Sequence, residues 1–145
     1  MNSVINILGT SIGKDCPVYF IADIAANHDG DLARAKQLIH LAKQAGADAA
    51  KFQHFKADTI VSDRGFKQLG SQMSHQASWH RSVFQVYKDA SVDESWTSEL
   101  KKCCDDVGIA FFTSPYAFDL VDHVDPFVPA YKIGSGDITW TELIE

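Results

Sequence analysis

The sequence predicts an α/β fold with a parallel sheet and helices packed outside it, and three observations carry that prediction. Short apolar runs recur at "VYFIA", "AAKFQ", "IAFFT" and "AYKI". Segments with apolar residues at helical spacing separate them. Polar or glycine-containing turns follow each run, as expected when strands and helices alternate.

Val18 to Ala22 is continuous, rich in β-formers and bounded by Pro17 and Asp23, so it reads as a strand buried on both faces. Asp31 can cap a helix that carries Leu32, Ala35, Leu38, Ile39, Ala42 and Ala45 at helical spacing, with Gly46 just past its end. Ala49 to Gln53 reads as the second strand. Residues 54–78 are polar and aperiodic and read as an irregular loop, of a length that compact domains keep for function. Trp79 to Asp89 reads as a short helix. Asp93 caps the next, with Trp96, Leu100, Cys103, Cys104 and Val107 on its apolar side and Gly108 at its end. Ile109 to Thr113 is the third strand. Tyr116 to Val124 is a helix with Phe118 and Val121 inward, Ala130 to Ile133 a fourth strand, and Thr139 to Glu145 the start of another helix.

The chain has 145 residues, 46% hydrophobic and 22% charged, enough for one domain with a real core. A net charge of -6 argues against non-specific nucleic-acid or anionic-membrane binding. There is no apolar run of the roughly 18 residues a membrane helix needs, and the N-terminus lacks a secretory pattern. Three cysteines, two of them adjacent and none in a CxxC pair, point to reduced thiols in a cytoplasmic protein.

All strands of a parallel sheet end on one side, so Asp23, Lys51, Gln53, Thr113, Ser114, Lys132, Ser135 and Asp137 are expected to converge. Strand period puts Lys51 and Gln53 on one face. Two lysines in a partly enclosed site suit a phosphate or carboxylate, with hydroxyls and turn N–H groups completing the cradle. Two carboxylates nearby can bond hydroxyls or move protons. Structural alternatives stay open: ion pairs for the lysines, turn capping for Asp23 and Asp137, and a helix start at Ser114-Pro115. His28 falls in the first loop on that side. His40 and His123 read as packing or surface residues, and His54, His75 and His80 flank the long loop. None has metal-ligand spacing. GxGxxG, Walker, GxSxG and HExxH motifs are absent.

The words "FIADIAANHDGDLARAKQLIHLAKQAGADAAKFQHFKADTIVS", "GIAFFTSPY" and "PAYKIGSGD" occur in the order seen in the sialic acid synthase family, which the chain resembles from about Val18 to Glu145. That resemblance implies a TIM (β/α)₈ barrel, of which four βα units are counted here. Residues 1–145 would be its amino-terminal half, with the rest of the barrel and a C-terminal antifreeze-like domain absent. It implies condensation of phosphoenolpyruvate with an N-acyl hexosamine such as N-acetylmannosamine, giving a nonulosonic acid and phosphate. Lys51, Lys132 and Ser135 match positions that hold phosphoenolpyruvate; Ser114, also expected to bind substrate, stands where the family motif often has Thr before Pro and keeps the hydroxyl, and Gln53 matches an acceptor-sugar contact. Asp23 and Asp137, which with Lys132 are the expected catalytic residues, stand where many members have Glu and are one methylene shorter. A divalent metal, typically manganese, is implied with ligands outside this chain, as is a homodimer of the complete protein. Two alternatives are a related phosphoenolpyruvate-dependent sugar-acid synthase and an isolated half-barrel that is inactive and only folds, self-associates or binds ligand.

Overall fold

The computed structural model describes residues 4–69 and 79–145. Three parallel strands form its sheet in the order β3-β4-β5: β3 (Ile21–Ala25), β4 (Ala49–His54) and β5 (Ala110–Pro115). A small antiparallel hairpin, β1 (Ile5–Ile7) and β2 (Thr10–Ile12), precedes them. The sequence reading missed it because each strand is only three residues long. Its turn also puts Leu8 at φ 50° ahead of Gly9, where Asn or Gly is the usual signal.

α1 (Leu32–Gln44) begins at Asp31, whose carboxylate accepts from the N–H groups of Ala33 and Arg34, and Gly46 follows its end at φ 88°. Residues 54–69 are not an irregular loop. β4 runs on to His54, and two short helices follow, α2 (Ala57–Ile60) and α3 (Asp63–Gln68), the latter capped by Ser62. The rest of that expected loop, from residue 70 to 78 and including His75, lies outside the described residues. α4 (Val83–Ala90) starts at its Ser82 cap, later than expected. Asp93 caps a single 3-10 turn that leads into α5 (Thr97–Val107), closed by Gly108 at φ 72°. α6 (Phe118–Val124) buries Leu120 and Val124, while Phe118 is 54% exposed, so its inward face is shifted from the predicted one. α7 (Thr141–Ile144) is one turn.

The sheet has two different faces. One packs against α1 and α5 through Ile24, Ala50, Phe52, Phe111, Ile39 and Leu100. On the other, Ala49, Ala110 and Phe112 meet Ile7 of the hairpin, Tyr19 and Ala130. Burial of this kind stabilises each large side chain by about 1.5–3 kcal/mol. β3 is displaced from the predicted 18–22, and Val18 and Phe20 are exposed. β3 has one neighbour, β4, and residues 18–20 lie before the paired register. The expected fourth strand is a single parallel bridge, Tyr131 to Thr113, with Tyr131, Lys132 and Ile133 exposed. It has β5 on one side and no described strand on the other.

No helix among the described residues is long and apolar enough to cross a membrane. The three cysteines are free thiols.

Candidate active site at the strand ends

Strand register builds the site. Asp23 pairs with Lys51, Lys51 with Phe112, and Gln53 with Ser114. Alternation along β4 and β5 therefore puts Lys51, Gln53 and Ser114 on the face away from α1 and α5. Lys51 is 4% exposed, and its Nζ lies 2.8 Å from Asp23 Oδ1, whose side chain is 61% exposed. A buried ammonium needs such a partner.

Gln53 Nε2 donates to the Tyr116 hydroxyl at 3.2 Å. Ser114 Oγ is fully buried and makes no hydrogen bond of normal geometry, although the Tyr116 phenol is close enough to feel it. Burial, then the charge of Asp137 and that of Asp23, push the Tyr116 phenol up from its ordinary value, against the effects of Ser114 and Gln53. Three predicted residues, Gln53, Ser114 and Asp137, thus gather round one tyrosine that the sequence reading assigned only to a helix start. The signal was present in "TSPY", one residue beyond the strand-end hydroxyl.

The turn after residue 133 completes this edge. Asp137 N–H donates to Gly134 O at 3.0 Å. A Cβ on Gly134 would collide with Asp137 Oδ2 and stand 3.2 Å from Tyr116 Cε1. Glycine therefore permits the Asp137 carboxylate to approach Tyr116. Lys132 is tied by its N–H to Thr113 O at 3.1 Å, but its side chain is exposed and has no ion pair among the described residues. Ser135 is exposed. Among the described residues neither forms a hydrogen bond or ion pair with Lys51 or Asp23.

Thr113 does not join the site. Its neighbour along β5 is Ser114, so its side chain falls on the helix face, where Oγ1 meets His54 Nδ1 at 2.7 Å. His54 is buried rather than a loop residue. His28 also lies in the core: it is fully buried against Phe52 and Trp96, and its Nδ1 accepts from Gly30 N–H. Burial lowers its pKa, so it is a neutral packing residue. His80 is exposed.

Beside Gln53 a cleft of about 380 Å³ opens between Asn27, Phe55, Val86 and Tyr87. Its polar floor and aromatic wall suit a ligand with hydroxyls and an apolar face. At the end of β3, beside a register break, Ala25 takes φ 51°, a conformation disfavoured for alanine, and lines the same cleft. Among the described residues no three His, Cys, Asp or Glu side chains gather closely enough to hold a metal ion.

The NeuB family description matches residues 38–145. N-acetylneuraminate-9-phosphate synthase of Homo sapiens is 32% identical over 130 residues, covering 89% of this chain and 35% of that protein. N,N'-diacetyllegionaminic acid synthase of Legionella pneumophila is 33% identical over 128 residues, covering 88% and 35%. The sialic acid synthetase of Leptospira borgpetersenii, solved with citrate, superposes with a TM-score of 0.79 at 27% identity, over 99% of this chain and 45% of that one. A truncated 3-deoxy-D-arabino-heptulosonate 7-phosphate synthase of Thermotoga maritima superposes at 0.63 and 12% identity, covering 99% of this chain and 40% of that one, and shares the fold alone. The fold is thus of the α/β barrel type, and the chain spans about a third of the length of the curated relatives it matches. By its sequence match and by its fold, the chain belongs to the NeuB family.

Proposed function

We propose that the face carrying Lys51, Gln53 and Ser114 is the phosphoenolpyruvate half-site of a nonulosonic acid synthase. The observation that supports this most is a buried ammonium, Lys51, sharing one strand-end face with a buried, unpaired hydroxyl, Ser114. A carboxylate or phosphate bound there would find a charge and a donor already desolvated. Lys132, unpaired among the described residues, and Ser135 flank the same edge and would complete the anion's shell. Relatives that are pseudaminic and N,N'-diacetyllegionaminic acid synthases support the nonulosonic product class.

In this reading C3 of phosphoenolpyruvate attacks the aldehyde carbon of an open-chain N-acyl hexosamine, N-acetylmannosamine or a close analogue. Water adds at C2 and inorganic phosphate leaves. Lys51 and Lys132 stabilise the carboxylate and phosphate charge. Asp23 orients the Lys51 ammonium. Gln53 and the adjoining cleft receive the acceptor, and Asp137, beside the Tyr116 phenol, bonds a hydroxyl or moves a proton. The described residues do not fit a metal site, so no step here runs through one. A divalent metal such as manganese belongs to the reading only with ligands from elsewhere in the complete protein. That protein would be a cytoplasmic homodimer, with residues 1–145 as the amino-terminal half of its barrel and an antifreeze-like domain beyond.

A second reading applies to the chain by itself. Val18 and Phe20 before β3, Ile21 at its start, and Ile133 and Ile138 beyond the Tyr131 bridge are exposed. Such edges favour a module that binds ligand or associates without turning over.

Calorimetric titration of phosphoenolpyruvate into the chain tests the half-site. Saturable binding that weakens about tenfold or more in Lys51→Met is the expected result. Binding untouched by that substitution removes the assignment. For the complete protein, phosphate release that requires N-acetylmannosamine tests the reaction, and an acceptor-sugar profile separates this synthase from related sugar-acid synthases.

A further inference from the structure

Behind the strand ends, on the helix face, side chains from β4, β5, α5, α6 and the turn before α5 form one continuous polar chain. His54 Nδ1 lies 2.7 Å from Thr113 Oγ1, and its Nε2 lies 3.0 Å from Thr97 Oγ1. Thr97 Oγ1 lies 2.9 Å from His123 Nε2. His123 Nδ1 faces the Glu94 carboxylate at 3.9 Å. Thr113, His54 and Thr97 are buried, whereas the His123 side chain is 27% exposed.

Proton counting constrains this chain. A threonine hydroxyl carries one hydrogen, and a neutral imidazole carries one N–H. Thr97 has an imidazole nitrogen on each side, so it donates to one and accepts from the other. If His123 Nε2 carries a proton, it donates to Thr97, Thr97 donates to His54 Nε2, and His54 Nδ1–H donates to Thr113. If His123 Nε2 is bare, every bond reverses, and Thr113 donates to His54 Nδ1. Neutral His123 keeps its proton best on Nδ1, facing the Glu94 carboxylate. Charged His123 has protons on both nitrogens.

We infer that Thr97 couples the two imidazoles, so that His54 is a positioning residue whose tautomer follows the protonation of His123. His54 adjoins Gln53 and Thr113 adjoins Ser114, so the chain pins the ends of β4 and β5 from behind. A proton arriving at the surface reverses the bond that ties them. The value of this for substrate handling rests on the proposed half-site. The coupling itself does not.

The charged and titratable neighbours are few. Lys56, at the start of α2, bonds Glu94 at 3.0 Å and Asp119 of α6 at 2.5 Å, holding the Glu94 carboxylate beside His123. Burial first, then His123 and His28, pushes His54 down to about 4. His54 therefore stays neutral above that pH and responds by changing tautomer rather than charge. Phe111 closes its ring edge-on.

Long-range proton–nitrogen NMR on ¹⁵N-histidine-labelled protein tests this between about pH 5 and 9. The expected result is His54 protonated on Nε2 at high pH and on Nδ1 at low pH, with the midpoint of the His123 titration. Thr97→Val should abolish that correspondence and Thr97→Ser should keep it. A single His54 tautomer throughout the His123 titration overturns the inference, as does tracking that survives in Thr97→Val. Should the valine variant fail to fold, the unsubstituted protein still decides. No substrate is needed, so a protein that shows the exchange but does not bind phosphoenolpyruvate keeps the relay and loses the half-site.

Discussion

Lys51 Nζ sits 2.8 Å from Asp23 Oδ1, and the two residues are register partners on neighbouring strands. The ammonium is buried while the carboxylate is mostly in water, so the pair presents one desolvated charge with a solvated partner. Desolvation of Lys51 offsets much of the attraction. The arrangement is therefore poorly explained as a device for stability, and the proposed half-site gives the buried ammonium a second role, holding an anion.

Lys51→Met keeps the volume and removes the charge. Its thermal stability should stay within about 1 kcal/mol of the parent, while phosphoenolpyruvate binding weakens by about tenfold to a hundredfold. Asp23→Asn should instead cost about 1–2 kcal/mol, below the 3–5 of fully buried pairs because Asp23 faces water. Denaturant melts alongside titration calorimetry check both. A Lys51→Met variant that melts early yet binds normally would make the lysine structural.

Gly134→Ala separates site geometry from folding. The atom its Cβ would strike is the end of the Asp137 side chain, which can swing away, while the Tyr116 ring must also yield slightly. The expected stability loss is about 1 kcal/mol. Ligand binding should fall further, because Asp137 leaves Tyr116. Equal affinities in the two proteins would show that Asp137 takes no part.

His54 should make the protein acid-sensitive. Its folded pKa is lowered to about 4 from 6.5, so the unfolded chain takes up the proton first as pH falls. The contribution is present above about pH 6.5 and is lost as pH drops through about 4. The full difference is about 3 kcal/mol. His54→Asn should be less stable at neutral pH and show a flatter slope over that range. Melting temperatures measured across it test this, and equal slopes would refute it.

Lys132→Ala, at an exposed position, should leave stability within about 0.5 kcal/mol. In the complete protein it should raise the KM for phosphoenolpyruvate or lower kcat far more than it affects the sugar. Steady-state kinetics with each substrate varied in turn decides, and unchanged constants would remove Lys132 from the anion site.

Much of this was legible in local chemistry. Asp31 and Gly46 bracket α1, and Asp93 and Gly108 bracket the turn and α5, because caps and left-handed ends are satisfied within a few residues. Period two along "AAKFQ" correctly joined Lys51 and Gln53. The same rule separates Thr113 from Ser114, but grouping strand-end residues by proximity alone placed both in the site. Residues 130–133 read as a strand because their composition is that of one; pairing depends on neighbours that composition does not encode.

By itself, then, the sequence determined the βα alternation, the limits of α1, the end of α5 and the polar strand ends, since each depends on contacts within a few residues. Only the tertiary structure decided that Asp23 meets Lys51, that Gln53, Ser114 and Asp137 gather on Tyr116, and that His54 lies behind the site. Those depend on contacts between segments far apart in the chain, such as strand partners 27 to 61 residues apart. The register of those strands is set by how the whole sheet packs on α1 and α5, and no single segment carries it.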